Sequence, residues 1–299
     1  MLHESFYWLV NMSISAALCG VIVFLLRRAK RIPRRICVLL WAIPLIRMLI
    51  PYGIRGKFTL MQLTALIHSK SISSSEVFGD AFSQMNHMGL ASQYFPVDYR
   101  TESLYRIFDI GGLIWLTVAA ALIITFFIIY FITLSELKDA IFLADGVYVS
   151  PKVTSPAVYG IIRPRIILPS EEYATELILL HEKTHIKRAD NLWRLVAFTV
   201  ASIHWFNPLA WVFLKAFLAD TELACDEAVL SRCGEERKQE YALALISCAE
   251  KKSVFASAFG GARLRVRAES IMSYKKLTAA AAIAFSVLII CVFYVLLAN

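Results

Sequence analysis

Residues 110–134 run for 25 positions without one charged side chain. As a helix rising ~1.5 Å per residue, such a stretch is long enough to cross a hydrocarbon core of ~30 Å. Three further segments read the same way. Residues 6–26 are apolar apart from Asn11 and a few serines. They are too long for a signal-peptide core and lack a basic region before them, so this segment stays in the protein. Residues 36–50 are shorter and contain Pro44, and residues 277–297 follow Lys275 and Lys276. With 58% apolar residues and a mean hydropathy of +0.61, the composition excludes an ordinary soluble domain.

Charge orients these segments. Residues 27–35 carry six positive charges in nine positions, wedged between two apolar segments, which reads as a cytoplasmic turn. The N-terminus is then extracytoplasmic, residues 54–108 form an extracytoplasmic loop, and residues 135–276 lie on the cytoplasmic side. The last segment, 277–297, leaves again and places the C-terminus outside. Arg47, near the outer end of the short span, reads as a snorkelling interface anchor. His68 and His87, in the loop, have no partner at ligand spacing and read as surface residues. The net charge of +8 follows from these flanks; it favours membrane lipid headgroups and requires no nucleic acid. None of the six cysteines lies in the outer loop, which fits free thiols and excludes a disulfide framework or a Cys-based zinc site.

The cytoplasmic portion holds the chemistry. In Glu176-Leu-Ile-Leu-Leu-His181-Glu182-Lys-Thr-His185, two histidines four apart share one helix face and can present two imidazole nitrogens to one metal ion. A zinc-bound water is acidified towards pH ~7, and Glu182 beside it is the candidate general base. Pro169-Ser170-Glu171-Glu172 gives the helix a start signal, with Ser170 as N-cap and acids in the first turn. The spacing alone also fits an exposed amphipathic helix; a downstream third ligand separates the two readings. Before this helix, short β-branched and aromatic runs split by Pro151, Pro156, Gly160 and Pro164 predict a small meander of strands. An edge strand there could hold an extended substrate, or the sheet could simply cover the helix.

Residues 192–218 look like another span, yet a crossing would carry Glu222 and Asp226 to the far side of the membrane, ~30 Å from the histidines. Asn207-Pro208 splits the stretch, so it predicts a helical hairpin that dips into the inner leaflet and returns. Glu222 follows His185 by 37 residues and shares a face with Asp226. Two histidines, a glutamate and one open position describe a catalytic zinc; Asp226 then suits the outer shell, accepting from the second nitrogen of a ligating histidine.

Taken together, Ser155-Pro-Ala-Val-Tyr-Gly160-Ile-Ile-Arg-Pro164-Arg-Ile-Ile-Leu-Pro169, His181-Glu182-Lys-Thr-His185-Ile-Lys-Arg-Ala-Asp190, Trp205-Phe-Asn-Pro-Leu and Glu222-Leu-Ala-Cys225-Asp226 resemble the integral-membrane zinc peptidases of the BlaR/MecR type over nearly the whole chain. The resemblance implies an α-helical membrane protein with four transmembrane helices and a cytoplasm-facing gluzincin-like domain, mainly α with a small β-sheet. It implies a multi-pass cell-membrane protease that cuts itself and a cytoplasmic helix-turn-helix repressor in response to a β-lactam; a homodimer is compatible with this. Self-cleavage is expected in the loop before the last span. There Ser253, Phe255, Ser257 and Phe259, followed by Gly260-Gly261, form an extended candidate substrate with small and aromatic side chains, its rival role being a plain linker. The family carries its external sensor after the fourth span, where this sequence stops two residues past Leu297, so a sensor domain is not expected within it. Two other readings stand beside this one. One is a housekeeping membrane gluzincin of the CAAX-protease or HtpX kind, and the other is a non-catalytic membrane signalling protein.

Overall fold

A computed structural model describes residues 2–29, 32–50, 102–250, 257–276 and 278–297; the expected outer loop lies outside them, as do Ser253 and Phe255. The chain opens with α1 (Leu2–Leu26), α2 (Arg34–Leu40), α3 (Ala42–Leu49) and the 35-residue α4 (Glu102–Glu136). A four-stranded sheet follows, β1 (Ile141–Ala144), β2 (Val147–Val149), β3 (Ala157–Tyr159) and β4 (Arg165–Leu168). The rest is helical: α5 (Glu176–Lys187), α6 (Asp190–Ile203), α7 (Pro208–Cys233), α8 (Lys238–Glu250), α9 (Ser257–Met272) and α10 (Ala279–Leu297).

Two described helices are long and apolar enough to cross a membrane, α1 and the Arg106–Glu136 part of α4. The apolar stretch of α10, Ala280–Leu296, is shorter. The expected span at 36–50 is two short helices broken at Trp41, with Pro44 in the first turn of α3, where a missing N–H costs nothing. Arg47 departs from its expected role. It is 2% exposed, and its Nε and one terminal nitrogen donate to the Leu296 carbonyl at 3.0 and 2.9 Å. A helix C-terminus leaves carbonyls without intrahelical donors, and a guanidinium answers both their geometry and their negative end.

α6 and α7 meet in a hairpin at Asn207-Pro208. Asn207 caps α7 by accepting from the Leu209 N–H at 2.9 Å, with Pro208 as the first helical residue. Its tip meets α1 part-way along rather than at an end: the Asn207 amide donates to Ser13 Oγ at 2.8 Å, and Trp115 Nε1 on α4 donates to the Ile203 carbonyl at 2.7 Å. Close packing follows at Gly20, where any Cβ would lie 2.1 Å from the Phe213 ring. Lower down, buried Asp220 of α7 accepts from Arg27 at 2.8 and 2.9 Å and from Trp41 Nε1 at 2.8 Å. The backbone N–H groups of Arg34 and Arg35 donate to Glu227. The basic turn thus clasps α7.

The sheet runs β1-β2-β4-β3, with β2 parallel to β4 and the other pairs antiparallel, so it is not the simple meander expected. Asp145-Gly146, both at positive φ, makes the tight β1–β2 turn. β1 and β3 are the two edge strands, and Asn191 of α6 donates to the Val158 carbonyl of β3 and to that of Gly160 just after it, at 2.9 and 3.1 Å. Val147, Ile166, Leu168 and Tyr173 pack the sheet against Ile178 of α5. A second cluster, Leu177, Val229, Leu230, Tyr241, Leu245 and Ile271, holds α5, α7, α8 and α9 together. Each such buried aliphatic side chain contributes about 1.5–3 kcal/mol.

Two local expectations change. Ser170 opens a separate 3-10 turn (Glu171–Tyr173), and the N-cap of α5 is Thr175; neither makes a side-chain cap bond. The segment expected to be extended through Gly261 is helical from Ser257, so Ser257 and Phe259 stand in the first turn of α9.

Candidate active site

Helix periodicity brings His181 and His185 together on α5, both about 5% exposed, with their Nε2 atoms 3.1 Å apart and their rings nearly perpendicular. Their outward nitrogens are held by other elements. His185 Nδ1 lies 2.6 Å from Asp190 Oδ2, and a carboxylate only accepts, so Nδ1 carries the proton and Nε2 the lone pair. Asp190 reaches back because Ala189, at φ 53°, turns the chain sharply between α5 and α6. Tyr241 OH donates to Asp226 Oδ1 at 2.7 Å and accepts from His181 Nδ1 at 2.8 Å, which fixes the same tautomer there. Two imidazole lone pairs therefore face one point.

Glu222 comes from the returning arm of the hairpin. Its Oε2 lies 3.9 Å from His181 Nε2 and its Oε1 3.8 Å from His185 Nε2, with a third of the side chain open to solvent. Arg194 donates to Oε1 at 2.6 Å, and Arg267 stands 3.4 Å from Oε2. Arg267 is anchored by a two-pronged pair to Asp226, at 2.8 and 2.9 Å, and reaches within 3.4 Å of His181 Nε2.

Electrostatics divide the acids. Burial pushes the Glu182 carboxyl up to about 7, Glu222 adding to the effect while His185, Arg267 and Arg194 oppose it. No hydrogen bond from a described residue reaches the Glu182 carboxyl, and the residue is 6% exposed. Burial also acts on Glu222, but the positive charges beside it, Arg267 first and then Arg194 and Arg188, outweigh it and hold the carboxyl below its ordinary value. Burial, reinforced by Arg267 and its cationic neighbours, keeps His181 neutral.

Among the described residues His181, His185 and Cys225 form a group close enough to hold a metal, their ligand atoms within 4.8 Å of one another. The Cys225 thiol, however, points at the His181 carbonyl at 3.5 Å, and burial, with Asp226 and Glu222 beside it, pushes its pKa up. A thiolate is the ligand, so this sulfur is the weaker third donor and the ionised Glu222 the stronger. The donor set fits one small ion: bonds of ~2.0–2.2 Å in tetrahedral array place ligand atoms ~3.3 Å apart.

The residues expected at the site, His181, Glu182, His185, Glu222 and Asp226, converge here. Asp190, Arg194, Tyr241 and Arg267 were not anticipated in these roles. Asp190 stood within the motif but gave no signal without the Ala189 turn. Tyr241 and Arg267 lie 60 and 86 residues from His181 in generic helices.

Known proteins resemble parts of this chain in sequence. Over 97 residues the chain is 38% identical to the regulatory protein BlaR1 of Bacillus licheniformis, covering 31% of this chain and 16% of that one. Over 110 residues it is 28% identical to the methicillin resistance mecR1 protein of Staphylococcus aureus, covering 35% and 19%. The chain thus spans under a fifth of the length of these relatives. Residues 7–273 match the family described as BlaR1 peptidase M56, and with a site of this geometry inside that span the chain belongs to that family.

Proposed function

We propose that this chain is a membrane-embedded zinc endopeptidase that transduces a signal by cutting itself, a cytoplasmic repressor, or both, in regulation of the β-lactam-resistance type. The observation that carries this is the pair of Nε2 lone pairs facing each other 3.1 Å apart beside buried Glu182. The family supports a peptidase, and the relatives' names, regulatory and methicillin resistance, support the regulatory role. His181, His185 and Glu222 are the ligands in this reading, and Asp190 and Asp226 orient the imidazoles, the latter through Tyr241.

Bound there, zinc would acidify a water and polarise the scissile carbonyl. Glu182, titrating near neutrality, takes the proton of the attacking water and returns it to the departing amide nitrogen. Asp190 and Tyr241 keep the imidazole lone pairs aimed inward throughout. Arg194 and Arg267 hold Glu222 ionised and fix its orientation. α1, α2–α3, α4 and α10 form four membrane crossings with both termini outside, and the catalytic helices face the cytoplasm.

Elemental analysis tests the ligand set. Purified protein should hold about one zinc per chain, the His181→Ala/His185→Ala variant none, and Glu222→Ala far less than Cys225→Ala. Stoichiometric zinc in the double variant, or zinc lost only with Cys225, contradicts the assignment.

A further inference from the structure

Where the end of α4 meets the sheet, the protein forms a half-open cavity of about 630 Å³, within the range of small-ligand sites. Its wall is aromatic and aliphatic: Phe127, Phe131 and Leu134 from α4, Tyr159 from β3 and Ile162 from the loop after it. The wall is continuous with the exposed surface of α4, where Ile128, Phe131 and Ile132 are each more than half exposed. Lys138, Arg163 and Arg165 also line it, and none of the three has a carboxylate partner among the described residues. Arg165 lies over the Tyr148 ring, and Tyr148 stacks edge-on against Phe142, which is 62% exposed. Ile162 is 93% exposed at the cavity's edge.

This is a graded surface, apolar along α4 up to Leu134 and cationic beyond it in its lining, where Lys138, Arg163 and Arg165 face the pocket and the acids Glu136 and Asp139 on either side of Lys138 do not line it. A long apolar chain can enter it without leaving the hydrocarbon face of α4, and a negative headgroup meets three cations that have no carboxylate partner among the described residues. A peptide suits it less: a strand added to the free edge of β3 would find the Val158 and Gly160 carbonyls already bonded to Asn191. We infer that the cavity binds an anionic membrane phospholipid, with an acyl chain along Phe127, Phe131 and Leu134 and the phosphate on Lys138, Arg163 and Arg165. The inference rests on the reading of α4 as a membrane span and is independent of catalysis. It makes the lipid a strut between the long helix and the sheet that flanks the zinc helix.

The test is native mass spectrometry of the full chain after exchange with vesicles of phosphatidylglycerol or phosphatidylcholine, with zinc content read on the same samples. Wild type should retain phosphatidylglycerol at least about tenfold more than phosphatidylcholine, and Lys138→Gln/Arg163→Gln/Arg165→Gln should abolish that preference while keeping its zinc. Leu134→Trp, which fills the cavity and leaves the cations in place, should also lose the lipid. Equal retention of the two lipids by wild type overturns the inference. So does undiminished phosphatidylglycerol in either variant, or a variant that keeps its lipid but binds a peptide substrate more weakly, which would mark a peptide groove. Retained phosphatidylglycerol in a wild type without zinc supports the lipid site and counts against the peptidase alone.

Discussion

At the residue scale the site depends on which nitrogen of each histidine carries its proton. Asp190 settles this for His185 directly, and Asp226 does so for His181 through the Tyr241 hydroxyl. Tyr241→Phe removes that relay while leaving the ring's packing intact, and direct contact between His181 Nδ1 and Asp226 is 3.5 Å, too long to replace it. Zinc affinity should fall by about 10–100-fold, read by chelator competition; unchanged affinity would show that Tyr241 only fills space. His181, Glu182 and His185 are legible in the sequence because three helical positions carry their whole relationship. Glu222 and Asp226 are legible because acids stand out after an apolar run. Tyr241 and Arg267 were not, since one tyrosine and one arginine on ordinary helices acquire their roles only when α8 and α9 pack on α5 and α7.

At the element scale, α7 is both the return arm of the hairpin and the carrier of Glu222, so its placement sets where that carboxylate stands beside the two histidines. Asp220 fastens it to the turn after α1, with Arg27 a fifth exposed and Asp220 fully buried. Asp220→Ala strands Arg27 and Trp41 Nε1, a loss of about 3 kcal/mol. The variant should melt several degrees below wild type in detergent and bind zinc more weakly; an unshifted melt would mean that the packing of α2 on α7 suffices without the ion pair. The hairpin itself was legible from Asn207-Pro208, a cap and a helix-starting proline side by side. The start of α5 was not: Pro169-Ser170 with two acids reads as a helix N-terminus, but the chain spends those acids on a 3-10 turn and begins the helix at Glu176. Arg47 misled for a related reason, because a charge near the end of an apolar run looks like an interface anchor until α10 supplies a carbonyl for it.

At the scale of the whole molecule, hydropathy made the two long helices legible and left the short ones open, since α2–α3 is interrupted and α10 is near the minimum length. Sidedness is the prediction that belongs here. In a chain whose own cysteines have been replaced, a cysteine at Ser73 should react with an impermeant thiol reagent outside intact cells, and one at Lys252 should react only after permeabilisation. The reverse pattern would invert the protein and put the histidines outside.

Proteolysis by this site is the central claim, and the most direct measurement is N-terminal sequencing and intact mass of wild type and Glu182→Gln after incubation with zinc. Removing a general base lowers the rate by about 10²–10⁴ without removing the metal. With Ser257 onward in α9, wild type should accumulate a fragment cut between Ser253 and Ser257, and Glu182→Gln, holding the same zinc, should stay intact. Equal nicking of the two proteins, or a zinc-loaded wild type that cuts neither itself nor a repressor, would contradict the account.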